Sequence, residues 1–230
     1  MNASRTARER ARAELTREIK EEAKRQLGEV GAHALSLRAV SRELGMTSSA
    51  LYRYFASRDE LLTALIIDAY EALGDRVAAA EEKASGQSLR GRWRVGCATI
   101  RAWALEHRHE YSLVYGSPVP GYSAPETTVA PAARIAGVIL GIVHEAWLEG
   151  SITAPIVPLD DLELQRQAPL VHPGLPPHVA VRAAIAWTQL FGMISFELYG
   201  HLANTLDPAT PFFTHAVETM ADLIGLPADP

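Results

Sequence analysis

The side chains best suited to contacting nucleic acid lie on one face of a short helix predicted near residues 47–55. The outward face carries two small hydroxyls, an aromatic ring and a guanidinium: Ser48, Ser49, Tyr52 and Arg53. The opposite face, at i, i+1 and i+4, can pack inward: Ala50, Leu51 and Tyr54. Hydroxyls, a phenol ring and a guanidinium are typical of a surface that meets base edges and phosphates in a major groove.

A second short helix precedes this one at the right distance to position it. Ser36 can cap a helix whose apolar positions are Leu37, Val40 and Leu44. Gly45 supplies the turn, and Thr47 can cap the helix that follows. The sequence therefore predicts a helix-turn-helix.

Longer helices are predicted on both sides of this motif. Residues 5–29 carry an apolar stripe at i, i+4 spacing: Ala11, Leu15, Ile19, Ala23 and Leu27. After the motif, Ser57 and Glu60 have the spacing of a capping box, and apolar positions continue from there to Val77. The motif is thus expected to lie within a three-helix head followed by a fourth, longer helix.

The remainder of the chain also has helical patterns, over 89–108, 127–149, 178–203 and 211–225. No alternating strand pattern stands out, so the predicted fold class is all-α. Residues 116–125 form a Pro/Gly loop, and six prolines prevent residues 150–177 from forming one long helix. That segment could act as a lid or as a disordered loop, and the tail from Leu226 is expected to fray.

Composition restricts the class of protein. Hydrophobic residues make up 48% of the 230 positions and charged residues 21%, as in ordinary globular proteins. We expect no membrane span, because no uninterrupted apolar run of about 18 residues occurs. The charged amino terminus does not look like a secretory signal, and Cys97, the single cysteine, cannot form an internal disulfide. These features favour a cytoplasmic protein.

Charge is distributed unevenly along the chain. The formal net charge is −5, which by itself argues weakly against nucleic acid as a partner. Residues 1–60, however, carry 12 Lys and Arg against 9 Asp and Glu, whereas residues 61–230 carry 10 against 18. A basic head on an acidic body is the pattern expected of a small DNA-binding domain joined to a larger body.

Residues 51–62 resemble the signature of the TetR/AcrR repressors. The string Leu51-Tyr52-Arg53-Tyr54-Phe55 is similar to the family's Leu-Tyr-x-His/Tyr-Phe. It is followed by Ser57-Arg58-Asp59-Glu60-Leu61-Leu62, where the family has Ser/Asn-Lys-Glu-Glu-Leu. The resemblance covers about residues 12–75, with Ser41 where Ala is usual and Arg58 where Lys is usual. It implies a DNA-binding domain over 1–58 and a helical ligand-binding and dimerisation domain over 59–230.

The resemblance also assigns roles on double-stranded operator DNA. Ser48, Ser49 and Arg53 would read bases, Tyr52 and Tyr54 would hold the phosphate backbone, and Thr47 would cap the helix and donate to a phosphate. Arg38 would reach a base edge or a phosphate, and Arg58 would meet a phosphate at the start of the fourth helix. Two alternatives stay open: Arg53 could touch phosphate alone, and Tyr54 could serve as a core residue.

In the carboxyl-terminal body, Trp187–Gly192 resembles a subfamily named for a Trp-His-Gly signature, with Phe191 near the place of the His. The resemblance implies a homodimer through the helices at about 178–203 and 211–225. Small residues would allow close helix approach: Ala183, Ala184, Ala186 and Gly192. Apolar residues of the last helix would fill either this interface or the subunit core: Phe212, Phe213, Val217, Met220 and Ile224.

A regulator of this family would also sense a small hydrophobic ligand of unknown identity. The candidate wall residues are aromatic: Trp93, Trp103, Tyr111, Tyr115, Trp147, Trp187, Phe191 and Phe196. His107, His144 and Glu145 could orient the ligand. Aromatic residues at helical spacing are also typical of a core, so each of these positions has that alternative.

Motifs for other chemistry are weak. The histidines near 107–109 and 144 do not form HExxH, and no G-x-S-x-G, GxGxxG or P-loop occurs, so we expect neither an enzyme nor a metal or organic cofactor. Cys97 fits a buried apolar position better than a redox sensor. Three classes remain: a ligand-released repressor, a DNA-binding regulator without a small-molecule inducer, and, remotely, an enzyme in the helical body.

Overall fold

Helices account for the regular structure of the described residues, which are 2–152 and 159–229 of a computed structural model, with side chains from residue 6. The described α-helices are α1 (Asn2–Val30), α2 (Leu37–Glu43), α3 (Ser48–Leu51), α4 (Arg58–Lys83), α5 (Leu89–Glu106), α6 (Arg108–Tyr115), α7 (Val129–Leu148), α8 (Leu162–Val171), α9 (Pro177–Leu198) and α10 (Ala209–Ile224). Because no strand occurs in these residues, the all-α prediction is confirmed.

The chain divides into two compact units. The first comprises Met1–Tyr70 with His107–Ala130, and the second comprises Glu71–Glu106 with Pro131–Pro230. The first unit therefore holds the predicted helix-turn-helix together with α6 and the loop after it. The family resemblance implies a division after residue 58, directly after the helix-turn-helix. The compact unit instead extends into α4 and includes a later segment of the chain.

The first unit is built on one apolar cluster. Apolar residues of α1 to α4 and of the connections between them form it: Ile19, Ala23, Leu27, Leu35, Leu37, Val40, Leu51, Phe55, Leu61, Leu62 and Leu65. Their burial fixes the rotation of each short helix about its own axis, because a helix of two turns is not stable alone in water. The α1 stripe is confirmed from Leu15 onward, but Ala11 is exposed, since α1 extends beyond the cluster at that end.

The second unit buries faces of α5, α7, α9 and α10. On α9, residues at helical spacing are buried within the unit: Val179, Ala180, Ala183, Ala186, Leu190, Phe191, Ile194 and Leu198. On α10, Phe213, Val217, Met220 and Ile224 are buried as well. Most of the residues predicted to serve either the dimer or the core thus fill the subunit core.

Two helices differ from the sequence prediction. Residues 108–115 form the separate helix α6, and residues 162–171 form α8 inside the proline-rich segment. Asp161 caps α8, since its Oδ1 accepts from the N–H groups of Glu163 and Leu164, both at 2.9 Å. Pro169 lies in the last turn of α8, where the helix is ending. Residues 153–158 of the proline-rich segment lie outside the described residues.

The carboxyl-terminal tail is held rather than frayed, so that prediction is wrong for residues 226–229. Leu226 is buried, and Arg90 donates to the carbonyls of Pro227 (3.0 Å) and Leu226 (2.9 Å). Asp229 accepts from Ser88 and Arg94. Arginines of α5, distant in sequence, therefore fix the tail by contacts that residue spacing does not reveal.

Two segments, Glu126–Leu148 and Pro177–Leu198, are long and apolar enough to cross a membrane by length and composition alone. Both contain faces buried in the second unit, including Ile139 and Ile142 on α7 and Ile194 on α9. Core helices of soluble proteins pass the same test, so this is weak evidence for a span.

Candidate nucleic-acid interface

The helix-turn-helix is fixed by two side-chain caps and a glycine. The Ser36 Oγ accepts from Ala39 N–H at 3.4 Å, and the Thr47 Oγ1 accepts from Ala50 N–H at 3.3 Å, which starts α2 and α3 at the predicted residues. Gly45 ends the first helix with φ of 63°, a left-handed conformation that favours glycine. The predicted starts of both helices and the end of the first at Leu44-Gly45 are therefore confirmed, whereas α3 ends at Leu51 and not near Tyr54-Phe55.

A pair of serines sets the crossing of α2 and α3. Ser41 is buried, donates to the Arg38 carbonyl at 3.0 Å and lies 3.3 Å from the Ser48 Oγ. Ser48, predicted on the outward face, is consequently half-buried and turned toward α2. The serine at position 41 thus adds a hydrogen bond at a helix crossing where the usual alanine would supply only small size.

The outer surface of the motif carries Arg38, Thr47, Ser49, Tyr52 and Arg53, all of them exposed. The Ser49 Oγ lies 3.2 Å from the Thr47 Oγ1, so these hydroxyls stand side by side. Neither Arg38 nor Arg53 forms an ion pair with a described residue. This combination of free guanidiniums, hydroxyls and one phenol ring is suited to the polar and anionic surface of a DNA groove.

Tyr54 and Arg12 lie together just after the carboxyl end of α3. Tyr54 is half-buried against the apolar cluster of the first unit, which supports its alternative role as a core residue. The Arg12 guanidinium lies 5.1 Å from the centroid of the Tyr54 ring and donates to the Arg53 carbonyl at 3.3 Å. Sequence reasoning missed Arg12, because this contact joins residues 41 positions apart.

Arg58 is directed toward the protein. Its Nε donates to the Leu35 carbonyl at 3.2 Å, and its Nη2 donates to the carbonyls of Ala32 (2.8 Å) and His33 (3.2 Å). Its Nη1 lies 3.7 Å from the Asp59 carboxylate. All three nitrogens of the guanidinium thus face groups of the chain itself, which ties the start of α4 to the turn before α2.

The start of α4 already has protein partners for its free N–H groups. The Ser57 Oγ accepts from Glu60 N–H at 3.1 Å, and the Glu60 Oε2 accepts from Ala56 N–H at 2.6 Å. This is close to the predicted capping box, except that the Glu60 carboxylate reaches the residue before Ser57. Two carboxylates, Asp59 and Glu60, occupy the first turn, so the positive end of the helix dipole is partly satisfied.

Three candidate ligand residues belong to the first unit: His107, Tyr111 and Tyr115. The Tyr111 and Tyr115 rings lie 5.2 Å apart between centroids, and Tyr115 meets Tyr70 edge-on at 6.0 Å. Burial raises the pKa of the Tyr115 hydroxyl, and the neighbouring tyrosines raise it further. His107 Nδ1 lies 3.6 Å from the Glu110 carboxylate. The tyrosines therefore form an aromatic cluster inside this unit.

The other candidate ligand residues belong to the second unit. Trp93 and Trp103 are buried, and the Trp93 Nε1 donates to the Val217 carbonyl at 3.1 Å. Trp187 and the buried Phe191 have centroids 4.6 Å apart, whereas Phe196 is exposed beside His201. These contacts give the indole and phenyl rings partners within the protein.

His144 and Trp147 meet the segment that leads into α9. The His144 and His172 rings lie 4.8 Å apart, and Trp147 meets His178 edge-on at 6.0 Å. Burial lowers the pKa of His172, and the positive charge of His144 lowers it further. Glu145 forms an ion pair with Arg92 at 2.7 Å. The described residues hold no group of three His, Cys, Asp or Glu side chains able to bind a metal ion.

A cleft of about 300 Å³ opens between α5 and α10 in the second unit. Its floor is apolar, with Ala98, Ala102 and Leu105 on α5 and Phe213 on α10. Arg101 stands above the Phe213 ring and forms an ion pair with Glu197. None of the predicted ligand residues lines this cleft. Cys97 on α5 is also buried, and burial raises the pKa of its thiol.

Comparison with known proteins agrees with this arrangement. Residues 19–65 match the family model described as bacterial regulatory proteins, tetR family, and residues 93–220 match the one described as tetracyclin repressor-like, C-terminal domain. The HTH-type transcriptional regulators Rv1816 of Mycobacterium tuberculosis (strain H37Rv) and Mb1846 of Mycobacterium bovis are each 37% identical over 210 residues. The alignment covers 88% of this chain and 89% of each relative.

Solved structures share the fold. The crystal structure of the regulatory protein SCO4313 matches with a TM-score of 0.74 and 33% identity, covering 93% of this chain and 98% of that chain. A protein of unknown function from Rhodococcus sp. RHA1 matches with a TM-score of 0.67 and 24% identity over 91% of this chain and 93% of that chain, which shows the fold alone. The chain belongs to the TetR family of transcriptional regulators, which are DNA-binding proteins and not enzymes.

Proposed function

We propose that this regulator is a repressor that binds a palindromic operator as a homodimer and is released by a small hydrophobic ligand. The observation that carries the proposal is the exposed surface of the helix-turn-helix. Arg38 and Arg53 have no acidic partner among the described residues, and Ser49 and Tyr52 lie beside them. Two free guanidiniums next to hydroxyl groups form a surface that phosphates and base edges complement.

Each exposed residue of the motif has a proposed role. Arg53 pairs bidentately with a guanine in the major groove, and Ser49 adds a hydrogen bond to a base. Tyr52 and Arg38 hold phosphates on either side, and Thr47 donates its hydroxyl proton to a phosphate while its oxygen caps α3. Ser48, turned toward Ser41, contributes less than its neighbours. Tyr54 and Arg58 position the motif instead of touching DNA.

A homodimer would place two such motifs on one face of the duplex. The exposed side of α9 presents Ile185, Phe196 and Tyr199 at helical spacing around the exposed Gly192. A Cβ at Gly192 would have no heavy atom within 4 Å outside the adjacent helix backbone, so a second helix can approach closely at this point. Two-fold symmetry and recognition helices about 34–36 Å apart then require a palindromic operator.

Release by ligand is proposed as a shift between two conformations of the dimer. A ligand that binds one conformation more tightly changes the spacing of the recognition helices, and the operator no longer fits both. The proposal is supported by the match to a tetracyclin repressor-like C-terminal domain, and aromatic side chains are typical of pockets for hydrophobic ligands. The predicted ligand residues remain part of this proposal.

A second candidate function is a DNA-binding regulator without a small-molecule inducer. It is favoured by the burial of Trp93, Trp103 and Tyr111, three of the predicted ligand residues, in the packed interior of their units. A ligand screen separates the two candidates. All four tryptophans lie in the second unit, so quenching of their fluorescence would report a ligand there, and loss of operator binding would show release.

The DNA-binding part of the proposal is tested on DNA fragments selected from the genome by the purified protein. We expect footprinting to reveal a protected palindrome and the affinity to fall steeply as salt rises. Arg53→Ala should weaken specific binding by about 1–3 kcal/mol and relax the preference at one base pair in each half-site. Arg42→Ala is the control, because it removes an exposed arginine that pairs with Glu43 on α2.

Two results would contradict this assignment. Wild-type protein that is folded but selects no sequence is not a sequence-specific repressor. If wild-type protein and Arg53→Ala bind the selected sequence with the same affinity and the same base preference, Arg53 does not read that sequence.

A further inference from the structure

We propose that the face of α1 carrying Arg8 and Arg12 forms a second DNA contact, which binds the sugar-phosphate backbone next to the helix-turn-helix. This inference rests on the DNA-binding function proposed above and extends its surface beyond the helix-turn-helix. Four observations carry it: the local charge, the lack of acidic partners, the exposure of this part of α1, and its attachment to the recognition helix.

The positive charge of the amino-terminal region is confined to its first residues. Residues 14–60 hold eight Lys and Arg and eight Asp and Glu, so they carry no formal net charge. Residues 1–13 hold four arginines and one glutamate. The excess of three positive charges over residues 1–60 therefore belongs entirely to residues 1–13, although the helix-turn-helix begins more than 20 residues later.

Ion pairing increases this contrast. Six of the eight cations between residues 14 and 60 face a carboxylate: Arg17 with Glu14, Lys20 with Asp68, Lys24 with Glu21, Arg25 with Glu22 and Glu29, Arg42 with Glu43, and Arg58 with Asp59. The other two are Arg38 and Arg53 on the motif. Among residues 6–60, all of which the structure describes, the cations without a carboxylate partner are Arg8, Arg10, Arg12, Arg38 and Arg53.

Residues 6–14 of α1 contribute nothing to the core. Every residue from 6 to 14 is exposed, and the helix meets the apolar cluster of its unit only from Leu15 onward. Besides the arginines, residues 6–13 are a threonine, a glutamate and three alanines, without a large apolar side chain. Such a helix face lacks the apolar surface needed to insert into a lipid interface, whereas its charge suits phosphates.

Arg12 joins this basic segment to the recognition helix. Its guanidinium donates to the Arg53 carbonyl and covers the Tyr54 ring, so α1 passes directly by the carboxyl end of α3. Arg8 lies one turn before Arg12 on the same face, about 6 Å farther along the helix axis, whereas Arg10 lies on the opposite face. When Arg53 enters a major groove, the face of α1 with Arg8 and Arg12 continues that surface toward the flanking backbone.

The test measures operator affinity across a salt series for Arg8→Ala. Each phosphate that the protein neutralises contributes about 0.9 to the slope of log affinity against log salt. The slope should therefore fall by about 0.9 for every phosphate that the variant dimer no longer neutralises. The preference for operator over unrelated DNA should be unchanged, because phosphates carry no sequence information. Footprinting should lose protection at the flanks of the operator and keep it at the centre.

A matched control removes the same charge from the same helix. Arg10→Ala removes an exposed arginine from the opposite face of α1, and it should leave the slope close to the wild-type value. Arg8→Lys should retain most of the wild-type slope, because it retains the charge. Circular dichroism of each variant checks that α1 stays helical.

Two outcomes would overturn the inference while leaving the proposed function intact. Wild-type operator binding with an unchanged slope in Arg8→Ala would show that Arg8 does not contact DNA. Equal losses of slope in Arg8→Ala and Arg10→Ala would show a general effect of net charge. Absence of sequence-specific binding by wild-type protein, in contrast, is a failure of the proposed function itself.

Discussion

At the scale of single residues, the sequence predicts which positions belong to the motif better than it predicts what each side chain contacts. Ser48, Arg53 and Arg58 were all expected to face DNA because of their positions in the motif. In the folded chain, Arg53 is exposed, Ser48 meets Ser41, and the guanidinium of Arg58 is surrounded by carbonyls. The difference arises because the partners of Ser48 and Arg58 lie on other elements.

A test of Arg58 follows from its three backbone acceptors. Arg58→Ala should lower the free energy of unfolding by about 1–3 kcal/mol, because the carbonyls of Ala32, His33 and Leu35 lose a shared charged donor. Arg42→Ala, which removes an exposed arginine, should change it by less than about 0.5 kcal/mol. Urea unfolding measures both values.

The salt dependence of DNA binding distinguishes this positioning role from a phosphate contact. If Arg58 only positions the motif, Arg58→Ala keeps the wild-type slope under conditions in which it is folded. An unchanged unfolding free energy combined with a shallower slope would instead place Arg58 on the DNA.

At the scale of elements, α7 packs in the second unit against the segment between α8 and α9. His144 on α7 faces His172, and Trp147 faces His178 at the start of α9. A Cβ at Gly174 would lie 2.6 Å from the His144 Nε2, so this turn lies directly against the imidazole ring. Two imidazole rings in close contact make this junction sensitive to protonation.

The pH dependence of stability should reveal that sensitivity. The pKa values of His172 and His178 are lowered from 6.5, first by burial and then by the positive charges of His144 and Arg182 respectively. The unfolded chain therefore binds these protons more readily than the folded chain. The contribution of the two neutral imidazoles to the free energy of unfolding is therefore complete above about pH 6.5. It is lost as the pH falls through the lowered pKa values.

The corresponding measurement is urea unfolding between about pH 7.5 and about pH 5, a range that spans the ordinary histidine pKa. Wild-type protein should lose stability on acidification, and His172→Gln should lose less of it. His215→Gln, a change of an exposed imidazole on α10, is the control. An identical pH dependence in wild type and His172→Gln would contradict the assignment to this junction.

At the scale of the whole molecule, the proposed function requires two copies of the chain. The face of α9 with Ile185, Phe196 and Tyr199 remains exposed in the single subunit, and Phe196 is 56% exposed. Exposed aromatic residues in a helical stripe are typical of an association surface. Burial of this stripe by a second copy would bring together two DNA-binding heads.

The dimer is tested by light scattering after size-exclusion chromatography. Phe196→Glu should shift the protein from dimer to monomer, because the carboxylate would be buried without a partner, and operator affinity should fall with it. Leu170→Glu is the control, since Leu170 on α8 is 87% exposed and lies outside the proposed interface. A Phe196→Glu protein that remains dimeric would place the interface elsewhere.

The sequence by itself determined the features that depend on neighbouring residues. Ser36, Thr47 and Ser57 cap helices through contacts three residues away, so their spacing alone predicted where α2, α3 and α4 begin. Apolar periodicity predicted the all-α fold for the same reason. The family resemblance over residues 51–62 then identified the class of protein.

Only the tertiary structure decided which side chains remain available for function. The attachment of Arg12 to α3, the acceptors of Arg58 and the fastening of the tail by Arg90 join residues between 23 and 137 positions apart. The burial of Trp93 by α10 likewise depends on how separate helices meet. Periodicity shows that a residue faces inward, but it does not show which residue will face it, because that choice is made by packing between elements distant in sequence.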